Sequence, residues 1–370
     1  MRKSITKSLK KIKFFFVSMG PGETEHARAL GKYLSKKGYK VLFALRQEKN
    51  AFFFEKDEEF KIFITERPEK LKPILEKEKP EFLFLFNSKI WGGKFLEKSP
   101  FKKPKFVFCV DSNWLFNSKK YPRLDFVKWA DIYFISFPKK IFDFGLKKNG
   151  GNFEIEKEIK EKIIPVGFIP SYKRPPQKII RKIRKAYDIK KDEKFIFSYF
   201  SGWGASHRTW ALENFVKAVE LLIKKNRKIK AICVGLVTDL NLEKIKRNWL
   251  ILKEKLSAED FFLTLASSDL VFQHQGMVTL SQAISCQIPV ICNVSTLNQI
   301  IPKIHFWEVS PFKKAKACEM FSKTTKIEKI SQRIEELLFE KESREKMRKN
   351  QRLIFEEGEK NIFEIIKKLI

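Results

Sequence analysis

Short, unbroken apolar runs recur along this chain, separated by segments of helical spacing, and that rhythm leaves few folds open. "KIKFFFVS" leads to "TEHARALGKYLSKKG" and then to "YKVLFAL". In the middle segment Ala27, Leu30 and Leu34 fall on one helical face, and Gly38 supplies a stop. "KIFIT", the helix-like "RPEKLKPILEKEK", "PEFLFLF", "PKFVFCVD", a helical patch near Leu124–Trp129 and "DIYFISF" continue the series. Strands that are apolar at every position are buried on both faces, as in a parallel sheet covered by helices on each side. The chain therefore opens as a doubly wound α/β domain.

The rhythm fades across Lys139–Lys162, where Gly150 and Gly151 mark a loop. Pro165, Pro170, Pro175 and Pro176 then crowd into one short segment, as in a domain joint. A second series follows: "KFIFSYFSG" as strand, "TWALENFVKAVELLIKK" as helix, "KIKAICVGL" as strand, "SAEDFFLTLASS" as helix, "DLVFQH" as strand, "VTLSQAISC" as helix and "PVICNV" as strand. Ser257 and Asp260 have capping-box spacing. From about Lys326 the chain reads as charged helix. The expected organisation is residues 1–168 as a first domain, 169–180 as linker, 181–355 as a second domain, and a helix over 356–370 crossing back to the first. Two Rossmann-like doubly wound domains facing across a cleft suit an enzyme with two substrates, one per half.

The formal charge of +32 attracts polyanions, but lysine is spread throughout and interleaved with Glu, so a compositional bias explains it without a partner. No zinc-ligand spacing or aromatic RNA-binding consensus is present, and no nucleic-acid partner is expected. No apolar run approaches the ~20 residues of a membrane-spanning helix. Residues 1–11 read as a basic tail, and Phe14–Val17 is too short for a signal-peptide core. Five cysteines without a CxxC pair fit buried free thiols in a reducing cytoplasm.

Against this background "SDLVFQHQGMVTLSQAISCQIPV", residues 268–290, contains no lysine or arginine. A strand runs into a turn at His274, Gln275 and Gly276, and a helix follows with Thr279 near its start and Gln282 one turn on. An uncharged turn at a helix N-terminus offers free N–H groups and the positive end of the helix dipole, which suit a diphosphate. The segment resembles the donor-site motif of GT-B glycosyltransferases, in particular the MurG-like and UDP-glycosyltransferase families. Their pattern is matched by Asp269-Leu270-Val271, by His274-Gln275-Gly276, by Thr279, by Ser281-Gln282 and by Gln287-Ile288-Pro289-Val290. The family usually carries Glu on the ribose hydroxyls where Gln282 stands; Gln keeps an acceptor oxygen without the charge. Retaining members carry two Glu eight apart, whereas His274 and Gln282 occupy those places here, so the resemblance implies inversion.

The same families match elsewhere. Gly202-Trp203-Gly204-Ala205 resembles the glycine turn of the donor domain, with Ser206 and Arg208 as further phosphate contacts. Asn298 and Gln299 stand where the family contacts the donor sugar. "SMGPGETEHARALGKYLSKKGYKV" resembles the acceptor-side loop and helix, with Gly22 in the loop and Glu23 in the place of the family's catalytic His. His26, three residues later, is an alternative base, and neither residue is a further reading, since Glu23 and Glu25 also suit a helix N-terminus. "FVFCVDSNW" brings Asp111 as a third candidate, with Asn113 beside it, and Asn87 and Trp91 fall at an equivalent strand end.

The resemblance implies an inverting transferase that moves a sugar from a nucleotide-diphosphate sugar, UDP-linked in the closest families, to a glycan or lipid-linked acceptor. It implies no cofactor beyond the nucleotide sugar and no metal. Two other readings stay open: a sugar-nucleotide epimerase of the same fold, and a non-catalytic nucleotide-sugar or polyanion-binding protein, which Gln282 favours. The basic tail and a Phe-rich surface allow a cytoplasmic protein to make peripheral contact with an anionic membrane.

Overall fold

The computed structural model describes residues 12–55, 57–86, 104–111, 130–148, 161–170, 172–200, 206–235, 245–274, 276–294 and 304–370. The chain forms two compact units: Met1–Phe142, Leu146–Pro170 and Glu356–Ile370 in the first, Asp143–Gly145 and Ser171–Phe355 in the second.

The first unit is built on seven parallel strands: β1 (Lys13–Ser18), β2 (Lys40–Leu45), β3 (Lys61–Ile64), β4 (Phe82–Phe86), β5 (Phe106–Asp111), β6 (Ile132–Ile135) and β7 (Ile163–Pro165). Their order is β3-β2-β1-β4-β5-β6-β7. Phenylalanine dominates because aromatic side chains pair across neighbouring strands. Phe14 stacks on Phe82 at 4.8 Å and Phe82 on Phe106 at 5.3 Å, while Phe84 meets Phe108 edge-on at 4.8 Å. Each such pair adds about 0.5–1.5 kcal/mol beyond area burial. Helix α1 (Pro21–Lys36) lays Ala27, Leu30 and Leu34 on this core. Helices α2 (Pro68–Glu78) and α3 (Lys139–Lys148) follow.

The second unit has six parallel strands: β8 (Lys194–Tyr199), β9 (Ile229–Val234), β10 (Leu250–Lys253), β11 (Leu270–His274), β12 (Val290–Val294) and β13 (Glu319–Ser322). Their order, β10-β9-β8-β11-β12-β13, repeats the winding of the first sheet. Its helices are α4 (Gln177–Ala186), α5 (Ser206–Lys224), α6 (Ala258–Ala266), α7 (Met277–Ser285), α8 (Ile304–Lys314), α9 (Ile327–Phe339) and α10 (Lys341–Ile354). Ser257 caps α6, accepting from the Asp260 amide at 3.1 Å and donating to its carboxylate at 2.7 Å, the predicted box. The last helix, α11 (Gly358–Lys367), belongs to the first unit. Phe363 packs on Tyr33 and Tyr39, and the Phe168 and Gly358 region is tied by backbone bonds of 3.0 and 2.9 Å.

Several elements differ from the sequence expectation. The faded region holds α3, whose Ile141 and Phe142 are buried. The segment expected as linker ends inside α4, which buries Ile180. Two edge strands were not expected: β13, polar at both ends with Glu319 and Ser322, and β10, a short apolar run Leu250–Leu252 that ends at Lys253. The expected Phe-rich surface is not found among the described residues: their phenylalanines are buried or half-buried, consumed by the two cores. The helical patch near 124–129 lies outside the described residues. Among the described residues no helix is long and apolar enough to cross a membrane. All five cysteines are buried free thiols, and burial pushes Cys233 and Cys286 up to about 12.

Candidate functional site

In a doubly wound sheet the crevice opens where strand order reverses, at the carboxyl ends of the two strands that diverge. In the second unit those strands are β8 and β11, ending at Tyr199 and His274. The lysine-free stretch therefore falls on the sheet's switch point. Gly276 sits at φ +124°, ψ 100° and is the N-cap of α7, with no side chain capping the helix. That backbone conformation strains any residue with a Cβ. The first amides of α7 thus keep their donors for an anion.

Among the described residues, the polar side chains of Gln273, Thr279, Gln282 and Asn293 near this turn are buried and uncharged. Gln282 lies one turn into α7, 2% exposed, and its Oε1 has no hydrogen-bond partner. Thr279 is buried on the same helix. Gln273 donates Nε2 to Cys292 Sγ at 3.2 Å and leaves Oε1 unpaired. Asn293 stands in register with His274 on the adjacent strand; it is fully buried, and neither its Oδ1 nor its Nδ2 has a partner. The edge of Trp210 on α5 meets the His274 ring at 5.7 Å and 90°. A buried polar group left unpaired costs about 1–3 kcal/mol, so a group of them at a switch point marks a place where ligand hydroxyls and amides complete the bonding. Gln273 and Asn293 were not singled out from sequence. The available signal for Asn293 was a polar residue interrupting the apolar run "PVICNV".

In the first unit the reversal lies between β1 and β4. Met19 and Gly20 lead from β1 into α1, and Ser18 Oγ, Thr24 Oγ1 and the Gly20 carbonyl form a chain of bonds of 2.9 and 2.8 Å. Asn50 donates to the Met19 carbonyl at 3.1 Å. Glu23, half-buried, folds its carboxylate back over the helix start; a Cβ at Gly20 would stand 2.5 Å from Glu23 Oε2 and would push that carboxylate aside. Gly22 is the second residue of the same helix. His26 is 8% exposed, its Nε2 has no partner, and burial lowers its pKa to about 3, which keeps the ring neutral. Asp111 ends β5, two strands from β1, and accepts the Tyr133 hydroxyl at 2.6 Å. Burial first, and the Asp111 charge next, push the Tyr133 phenol well above its ordinary value. Glu23 and His26 are thus neighbours on one helix, while Asp111 lies about 10 Å along the sheet at ~4.8 Å per strand.

Behind the loop, Arg28 bonds Asp57 and lies 3.7 Å from Glu25, and Lys32 reaches Asp57 at 2.6 Å. Burial raises the Asp57 pKa, but hydrogen bonds and charge from Arg28 and Lys32 outweigh it and hold the carboxyl below its usual value. This network pins the Glu48–Phe54 turn against α1.

Of the other predicted site residues, Ser206 and Arg208 open α5. Gly202, Gly204, Gln275, Asn298, Gln299, Asn87, Trp91 and Asn113 lie outside the described residues. Among the described residues no group of three His, Cys, Asp or Glu is placed to hold a metal ion.

No family model and no curated protein sequence matches the chain. Solved structures do. MnaA of S. aureus in complex with UDP superposes with a TM-score of 0.68 at 16% identity, over 96% of both chains. A UDP-N-acetylglucosamine 2-epimerase gives 0.61 at 15%, over 95% of this chain and 93% of that one. MurG of Acinetobacter baumannii gives 0.60 at 12%, over 96% and 99%. At these identities the likeness concerns architecture, and the chain adopts the GT-B fold, two Rossmann-like units each wound on a parallel sheet.

Proposed function

We propose that the protein is an enzyme acting on a nucleotide-diphosphate sugar, UDP-linked, and that it transfers the sugar with inversion to a glycan or lipid-linked acceptor hydroxyl. The observation that carries the donor assignment is the uncharged turn at Gly276 on the switch point, followed one turn later by the buried, unpaired Gln282 oxygen. The diphosphate lies on the α7 amides, its negative charge facing the helix dipole, and a ribose hydroxyl donates to Gln282. As the acceptor oxygen attacks the anomeric carbon, the carbon–oxygen bond to the diphosphate breaks, and the amides stabilise the charge that develops on the leaving group. Glu23 takes the acceptor proton. Of the three base candidates it stands, by the resemblance, in the place of the family's catalytic His at the start of α1, whereas burial lowers the His26 pKa to about 3 and Asp111 holds the Tyr133 hydroxyl. MnaA, of the same fold, was solved with UDP, which supports the nucleotide class.

A second reading, sugar-nucleotide epimerisation, is favoured by the full-length likeness to a 2-epimerase. Inverting a carbon beside the anomeric centre requires a proton to leave one face and return to the other, hence two acid–base groups around the sugar. In the first unit Glu25 is committed to Arg28 and Asp111 to Tyr133, which supports transfer instead. A thermal-shift panel of nucleotides, followed by incubation with UDP-sugars, tests both. Specific stabilisation by UDP with release of UDP only in the presence of acceptor fits transfer. Conversion of the UDP-sugar to its epimer without acceptor replaces transfer by epimerisation. A melting temperature indifferent to every nucleotide removes both.

A further inference from the structure

Helix α4, "QKIIRKIRKA", is the most one-sided segment of the second unit. Ile180 turns inward, Arg184 bonds Asp269 at 3.0 Å, and Tyr187 just beyond meets the Thr264 hydroxyl at 3.3 Å, so one face is fixed against α6 and the sheet. The opposite face carries Lys178, Arg181, Lys182 and Lys185, at the i, i+3, i+4, i+7 spacing of a single helical stripe, all exposed. The helix contains no acidic residue. Among the described residues none of these four cations has an ionic partner. Elsewhere on the same unit lysines meet carboxylates: Lys225 with Glu335, Lys228 with Asp192, Lys230 with Asp188 and Lys313 with Glu319. Other lysines of the unit, such as Lys217 and Lys349, are exposed as well; what distinguishes the stripe is four exposed cations on one face of one helix that carries no acidic residue. At the edge of the stripe, between it and the buried face, Ile179, 37% exposed, is one of the few large apolar side chains the described residues leave in solvent. Lys173 is exposed on one side of the helix, and Lys190 and Lys191 on the other lie between the exposed Asp188 and Asp192.

We propose that α4 is a docking surface for an anionic lipid bilayer, lying in the headgroup plane with its cations on lipid phosphates and Ile179 inserted among them. Four to eight cations on an amphipathic helix suffice for such attachment, and each strengthens it about fivefold. The exposed isoleucine selects a lipid surface over a nucleic-acid backbone, because an apolar side chain among phosphates of a duplex gains nothing. The assignment stands independently of the sugar-transfer reading.

Co-sedimentation of the full chain with vesicles of phosphatidylcholine containing about one third phosphatidylglycerol tests it, against pure phosphatidylcholine vesicles and a DNA duplex. The expected result is binding to the anionic vesicles alone, weakened more than tenfold in R181E/K182E and several-fold in I179S. The control K217E/K349E, with the same change of net charge on exposed helix positions of α5 and α10, should retain binding within about threefold. Melting temperatures of all variants are measured alongside, and these solvent-facing changes should leave them near wild type. Equal loss in R181E/K182E and K217E/K349E overturns the proposal, since net charge alone then explains attachment. So does indifference to R181E/K182E, and so does stripe-dependent binding to the duplex without binding to vesicles, which assigns the stripe to nucleic acid.

Discussion

The switch points of the two sheets share one winding and have opposite chemistry. In the second unit the polar atoms around Gly276 are uncharged, and those of Gln273, Gln282 and Asn293 include buried atoms with no partner. In the first unit an ion network of Arg28, Lys32, Asp57 and Glu25 braces α1 behind the loop after β1, while buried His26 Nε2 and Asn50 Oδ1 have no hydrogen-bond partner. A charged network holds a loop in place, whereas neutral amides and acceptors at a helix start are suited to receive an anion. Identical topology thus does not make the two edges equivalent; the groups placed there, charged beside one and neutral at the other, decide.

The comparison is broken or sharpened by four measurements. The largest effect is expected on stability, in the first unit. Asp57→Asn removes the closer anion of buried Arg28, leaving Glu25 at 3.7 Å, and should cost about 3 kcal/mol in urea denaturation, since removing one partner of a buried pair leaves the other poorly compensated. UDP binding by calorimetry should survive wherever the variant is folded; a loss there would mean the two edges are not separate in function. Gly276→Asp comes next. It places a carboxylate beside the diphosphate and forces a side chain into φ +124°, and UDP affinity should fall by on the order of 100-fold. Retained affinity would move the donor site away from α7.

Third is the pH dependence of stability. The His26 pKa is depressed to about 3 in the folded protein against about 6.5 when unfolded, so between those values the unfolded state binds the extra proton. Stability should be unaffected by His26 above pH 7 and fall as pH drops from about 6.5, by roughly 1–2 kcal/mol at pH 5. Asp57, also depressed when folded, loses its contribution only in the lower range as its carboxyl protonates. His26→Gln should therefore flatten the slope between pH 5 and 6.5 and leave the acid limb; an unchanged slope would show that His26 is not buried as described. The smallest effect belongs to Gln282. Gln282→Ala should weaken UDP about fivefold, and Gln282→Glu should strengthen it by a similar factor, because a charged acceptor binds a hydroxyl more tightly. Equal affinities for all three would place the ribose elsewhere.

Much of the architecture was legible because a buried parallel strand must be apolar at every position. "KFFFVS", "FLFLF" and "DLVFQH" declare themselves as strands, and their alternation with helices declares the winding. β10, β13 and α3 were not legible. β13 is polar at both ends, β10 is a run of three apolar residues before Lys253, and among the described side chains of α3 Ile141 and Phe142 are buried in a segment otherwise rich in lysine. At the site, the absence of lysine around Gly276 was visible in the letters. The engagement of Asp111 with Tyr133 was not, because the partners are 22 residues apart and meet only across neighbouring strands.

The sequence by itself determined two successive α/β windings and a neutral turn between an apolar strand and a helix, since both follow from which residues water rejects and which backbones glycine permits. Only the tertiary structure decided that this turn occupies the point where strand order reverses, that Asn293 lies beside His274, and that His26 is neutral in a buried environment. Those properties depend on strand order and on the neighbours it brings together, and contacts between distant segments leave no periodicity in the chain for a reader to find.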